Sequence, residues 1–398
     1  MGTGSRSALS LLLLWTPLAV ACGERTDTRA YVEMLGVDTT AVEVFTRSAD
    51  RIDGAFIMRI PVTRLARYTA YLAPDGSVRS LEVTWTTPEE NPEAPPTEHS
   101  AIEIVGDSAR FVVEAELGVE KRQMEVPVNT LPSTGKVPLS VGLFEQAARQ
   151  ARAAGGERWE FAILRPSSRR GAAPNAIEAR GADSVSMDFF GNPMIAALDA
   201  EGRILGITGR ETTMQVEIQR VDPAELDLEA LAAEFAARDA GGEGFGQASP
   251  QESVTALMDG ATLEVEYSRP SKRGREIFGG LVPWNEVWRT GANAATHFAT
   301  DHDLIIGGEL VPAGTYTLWT TYTPESAELI ISSLTQIWGT GYDPSGDFVR
   351  VPMAREPLSE TVERFTIEVE PTEGGVGVLA LSWDTSRFTV PIEVSGSP

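Results

Sequence analysis

Between Tyr267 and Arg275 the chain places four cations, Arg269, Lys272, Arg273 and Arg275, and no acid. Arg289 and Asn293 follow shortly after. Guanidinium groups bind carboxylates, phosphates and sulfates through forked N–H donors. A buried arginine needs such a partner, because an isolated buried charge is costly. The partner is either a carboxylate of the fold or an anion from outside. Arg269, Arg275 and Arg289 are the candidates for the second role, with Asn293 as a hydrogen-bonding neighbour. Lys272 and Arg273 are expected to be simply solvated. Trp284 and Trp288 sit among these cations beside Gly and Pro turns, where an indole face can stack on a ligand ring. Of the other aromatics nearby, Tyr267, Trp319, Trp338 and Trp383, the strand patterns assign Trp319 and Trp383 to a core.

Two other chemistries compete. His297, Asp301, His302 and Asp303 (HFATDHD) are of types that ligate divalent metals. On a strand His297 and Asp301 share one side and His302 takes the other, so the set converges only through a turn. The chain has 3 histidines, His99 being the remaining one, and no HExxH pattern. A surface turn is the expectation. His297 and Asp301 remain the weak candidates for a metal-assisted hydrolase. Ser268, Ser271 and Thr290 lie near arginines, but no G-x-S-x-G elbow supports a serine nucleophile. Gly244-Phe245-Gly246 reads as linker, not as a dinucleotide fingerprint. No cofactor is implied, and a non-enzymatic role is the leading expectation.

The elements that must hold these residues are strands. Leu263, Val265 and Tyr267 alternate with Glu264 and Glu266, and Pro270 ends regular pairing. Gly279-Gly280, Pro283, Gly307-Gly308 and Pro312-Ala313-Gly314 are turn signals. Phe365, Ile367 and Val369, then Phe388, Val390 and Ile392, alternate with polar residues, the pattern of antiparallel strands with one wet face. Several short strands of this kind predict a C-terminal β-sandwich.

The string SRPSKRGREIFGGLVPWNEVWRTGANAATHF, followed by IGG, VPAGTYTLW, IWG and the strand near Trp383, resembles the bacterial family catalogued as domain of unknown function 2911. The resemblance runs from about Ser249 to Val394. It implies an all-β domain in exported proteins, and no particular chemistry.

The N-terminal half reads as an antiparallel β-meander with one helix. Phe56, Met58 and Ile60 share a face, as do Leu81, Val83 and Trp85, and Pro74-Asp75-Gly76 is a tight turn between strands. Further strands are expected at 101–105, 109–116, 184–190, 194–199, 204–208 and 213–218. The helix is Val141 to Ala154, with Leu143, Phe144, Ala147 and Ala148 on one side and Gly155-Gly156 ending it. Such a curved sheet could hold a lipid, though a plain scaffold is the simpler expectation. Pro223 to Asp239 is a second helical stretch, followed by a Gly-rich linker at 241–246. The expected division is a signal segment at 1–22, a tether at 23–44, a β-rich domain at 45–222, helix and linker at 223–248, and a β-sandwich at 249–398.

At 398 residues the chain exceeds one ordinary core. Its formal charge of −24 repels nucleic-acid phosphate and excludes general nucleic-acid binding. Arg6 followed by the apolar run Leu9 to Val20, too short to span a bilayer, reads as a secretion signal. Ala19-Val20-Ala21-Cys22 resembles a bacterial lipobox, with Ala19 where leucine is more usual. Ala19-Val20-Ala21 also fits an ordinary signal-peptidase site. Cys22 is the only cysteine, so it forms no internal disulfide, and acylation accounts for it. Gly23 is not the aspartate of inner-membrane retention. An outer-membrane or surface lipoprotein, membrane-bound through that anchor, is therefore expected. It would bind a small anionic or sugar ligand; the alternatives are the hydrolase and a structural or partner-binding envelope protein. Oligomeric state is not legible.

Overall fold

A computed structural model of the chain describes residues 27–88, 96–136, 139–189, 192–210, 212, 214–372 and 376–396. The expected export segment, Cys22 and most of the proline-rich loop at 87–97 lie outside the described residues.

The N-terminal half is one 15-stranded sheet built as two arms. The first arm is β1 (Asp27–Leu35), β2 (Asp38–Arg47), β3 (Arg51–Met58), β4 (Arg64–Leu72), β5 (Val78–Thr86), β6 (Glu98–Val105), β7 (Ser108–Ala115) and β8 (Gly118–Glu125). The second is β9 (Thr130–Pro132), β10 (Arg158–Leu164), β11 (Ala173–Ala179), β12 (Ser184–Phe189), β13 (Asn192–Leu198), β14 (Ile204–Thr208) and β15 (Glu217–Val221). The arms join where β1 pairs antiparallel with β15, and β9 pairs parallel with β10. Hairpin after hairpin follows from the turn residues between alternating runs.

Alternation gives the sheet two faces. Phe56 on β3 and Leu81, Val83 and Trp85 on β5 point to one side, where α1 (Val141–Ala154) packs with Leu143, Phe144, Ala147 and Ala148. Ile163, Met187 and Ile207 of the other arm join the same core, so the inner face is filled by a helix rather than left hollow. Ile57, next to Phe56, points the other way and meets Leu228, Ala232 and Phe235 of α2 (Leu228–Ala240).

Buried charges fix α1. Ser140 makes no side-chain cap. The Glu43 carboxylate on β2 takes its place, accepting the Val141 and Gly142 amides at 2.8 and 3.1 Å and the Tyr68 hydroxyl at 3.0 Å. That satisfies orphan donors at the start of the helix. Glu145 accepts from Arg29, from Arg149 at 3.1 Å and from the Ile204 amide at 3.0 Å. Lys136 pairs with Glu33 at 2.6 Å.

These pairs correct the expected tether. From Asp27 onward, residues 23–44 are β1 and most of β2, at the middle of the sheet. Arg29, Glu33 and Glu43 look like a solvated segment, but each is buried against a partner far along the chain. The alternating run ending at Ile218 is also shorter than expected: Gln215 has φ 50°, and pairing begins at Glu217. The Gly-rich linker is pinned, since Phe245 is buried in the N-terminal core.

The C-terminal half is a separate 10-stranded sheet. It contains β16 (Gln251–Met258), β17 (Ala261–Ser268), β18 (Val287–Trp288), β19 (Thr296–Thr300), β20 (Leu304–Ile306), β21 (Glu309–Val311), β22 (Gly314–Tyr322), β23 (Ala327–Ser332), β24 (Asp347–Pro371) and β25 (Val376–Val394). The order is β16-β17-β19-β22-β23-β24-β25-β20-β21, with β18 on β22. The sheet folds over one core, because the Ile367 amide on β24 donates to the Tyr267 hydroxyl on β17 at 2.9 Å. Among the described residues no helix is long and apolar enough to cross a membrane.

Candidate functional site

The arginines that look alike in the sequence have different surroundings. Arg269 follows β17 and is spent within the fold. Its Nε donates to the Phe365 carbonyl at 3.0 Å, Nη2 to Thr366 Oγ1 at 2.7 Å and Nη1 to Glu252 at 3.1 Å. It ties β17 to β24. Lys272, expected to be solvated, instead pairs with Asp384 at 2.5 Å, a partner that only the folded sheet brings near.

Arg273, expected to be solvated, is instead largely buried and joins the two halves. Its guanidinium pairs with Asp38 at 2.6 Å and lies 3.8 Å over the Phe245 ring. Its carbonyl accepts the Val37 amide at 3.1 Å. Gly36 and Gly274 are both left-handed, at φ 63° and 71°, and neither tolerates a side chain. A Cβ on Gly36 would sit 2.1 Å from the Arg273 carbonyl oxygen, and one on Gly274 2.7 Å from Val37. The β1–β2 hairpin tip thus docks into the 272–274 turn.

Beside this junction lies a cleft of about 540 Å³ walled by both halves. Arg275, Trp288, Arg289 and Asn293 line one side, together with Trp338. Glu33, Leu35, Ile60, Arg210 and Met214 line the other. Four of the expected ligand residues are therefore brought together, and two are not: Arg269, described above, and Trp284. Trp284 stacks on Phe278 at 6.3 Å and packs against the C-terminal core.

Arg275 and Arg289 have no carboxylate partner among the described residues. Arg275 donates Nε to the Lys272 carbonyl at 3.1 Å and Nη2 to the Ser271 carbonyl at 2.5 Å. Arg289 donates Nε to the Gly291 carbonyl at 3.3 Å. Burial lowers the pKa of both, and the neighbouring Arg273 lowers that of Arg275 further against a partial offset from Glu363. Burial thus works against two charges that no carboxylate pairs with directly among the described residues.

The loop that presents Arg289 is strained. Thr290 has φ 53°, unusual for a β-branched residue, and Asn285, Asn293 and Gln336 are also left-handed. Thr290 is held there by its hydroxyl against Thr320 Oγ1 at 3.1 Å, and by its carbonyl, which accepts from Thr296 at 2.7 Å. Above the arginine runs the turn around Gly339, whose amide donates to Asn293 at 2.9 Å. A Cβ on Gly339 would lie 2.3 Å from Arg289 Cδ. Asn293 is exposed, with Nδ2 donating to Ser268 at 3.3 Å.

The indoles divide differently from expectation. Trp288 is 8% exposed, stacked on Trp383 at 5.7 Å and edge-on to Phe365 at 5.1 Å. It supports the cleft floor rather than offering a free face. The exposed indole is Trp338, at 56%. Its Gly-flanked setting (Trp338-Gly339-Thr340-Gly341) was the available signal, because a turn rarely buries a large ring.

Asp301 bonds to partners other than His297. Asp301 accepts the Thr262 amide at 2.7 Å and bonds His302 Nδ1 at 2.8 Å, and the His302 bond pulls its pKa down to about 2. His297 sits within β19. No three His, Cys, Asp or Glu side chains among the described residues gather as a metal-ligand set.

Residues 249–392 match the model of a family described as protein of unknown function, DUF2911. No curated protein matches the chain. A crystal structure of a DUF1089 family protein from Pseudomonas aeruginosa aligns at 14% identity, covering 50% of this chain and 97% of that one, with a TM-score of 0.29. A botulinum neurotoxin type C structure aligns at 8% identity over 94% of this chain and 89% of that one, with a TM-score of 0.11. Neither superposition is close enough to carry an argument.

Proposed function

We propose that the cleft between the two halves captures a small anionic ligand, and that the chain does so as an exported, lipid-anchored envelope protein. The observation that carries the binding reading is Arg289: half-buried, lining the cleft and without a carboxylate partner among the described residues. In a chain of charge −24, leaving such a cation unpaired is a cost that an incoming anion removes. Trp338 supplies an exposed face for the organic part of the ligand. Export and anchoring rest on the N-terminal apolar run and Cys22 of the sequence.

The cleft tryptophans report occupancy. Titration with inorganic phosphate at fixed ionic strength should change tryptophan emission in the wild type and leave Arg289→Ala unchanged. The same response in both proteins would remove the reading. For the anchor, mass spectrometry of the protein from its own membranes should find a diacylglyceryl group on Cys22; an unmodified thiol or a chain starting elsewhere refutes it.

A further inference from the structure

This inference rests on the anion-binding reading above and concerns which anion. A guanidinium carries five N–H donors in a planar fork. Arg289 spends only Nε within the fold, which leaves both Nη groups without a partner among the described residues. Arg275 spends Nε and Nη2, which leaves Nη1. Three Nη groups from two cleft-lining arginines therefore remain without a partner among the described residues.

Their charges remain as well, because every acceptor they use is a neutral carbonyl. The other ionic groups of the cleft do not cancel them: Glu33 is held by Lys136 and Thr40, Arg210 is paired with Glu217 at 2.7 Å, and Glu286 is exposed to water. A carboxylate brings two oxygens and one charge. A sulfate ester brings three oxygens and still one charge. A phosphate monoester brings three oxygens and a charge of about −1.5 to −2 at neutral pH. We infer that the cleft selects a phosphate monoester, its phosphoryl oxygens shared between Arg275 and Arg289 and its organic part against Trp338.

Isothermal titration of the full mature chain near neutral pH and at fixed ionic strength tests this with three ring-bearing probes. Phenyl phosphate, phenyl sulfate and benzoate separate charge from shape. Phenyl phosphate should bind at least about tenfold more tightly than the other two. Arg275→Lys, which keeps the charge and loses the planar donor set, should weaken phenyl phosphate by about tenfold. Equal affinity for all three probes overturns the phosphate assignment and leaves anion capture standing. Phenyl sulfate matching phenyl phosphate, with benzoate weaker, also overturns it, since shape alone would then select. Absence of heat with every probe, in protein folded by circular dichroism, overturns both readings.

Discussion

Arg269 and Arg289 are one residue type in one stretch, with opposite surroundings. Arg269 satisfies three groups of the fold; Arg289 satisfies a single carbonyl. Arg269→Ala should therefore lower stability in urea unfolding by about 1–3 kcal/mol, since it strands acceptors on β24, and leave ligand capture intact. Arg289→Ala should abolish capture with little loss of stability, because it removes a half-buried charge that nothing in the fold cancels. If Arg289→Ala instead unfolds the protein, the side chain is structural. The sequence could not separate the two arginines. Glu252 and Thr366, which claim Arg269, are distant in the chain, and their register against β17 is a property of the folded sheet.

The elements around the site constrain it from both ends. Gly339 is a steric gate for Arg289, and its replacement by alanine forces the turn or the arginine to move. Gly339→Ala should cost about 1–3 kcal/mol and weaken anion binding together, whereas a surface glycine change such as Gly260→Ala should leave binding untouched. In the N-terminal sheet, burial raises the pKa of Glu43 despite Lys136, the two α1 amides and the Tyr68 hydroxyl, which favour its charged form. A raised carboxyl pKa means stability that is full below the unfolded value and lost as pH rises through the folded one. Relative to Glu43→Gln, which keeps an acceptor for the α1 amides, the wild type should therefore lose stability as pH rises from acid towards neutral. Thermal melts of both proteins across that range check the sign, and a constant difference would show that the group does not titrate. Most strands and α1 were legible because alternation and the helical repeat depend on neighbours in sequence. The β1 strand was not, because Arg29 and Glu33 read as polar until their partners arrive from α1 and the segment before it.

At the scale of the whole molecule two features act together. The chain is strongly acidic, so an anionic ligand is repelled at a distance and attracted only within the cleft. Raising ionic strength from very low values should therefore speed association, the reverse of ordinary steering; stopped-flow tryptophan emission measures it. The polar contacts that join the halves converge on Arg273, through Val37 and Asp38. Asp38→Ala should loosen the halves, seen as a larger radius of gyration by X-ray scattering with each sheet still folded. The family model covers residues 249–392, yet one wall of the cleft comes from residues before them. Cut out by itself, the C-terminal piece would expose Arg273 where Phe245 and Asp38 had covered it, and would offer half a mould. Ligand screens on that fragment would reward whatever adheres to bare guanidinium and overlook what the intact chain holds.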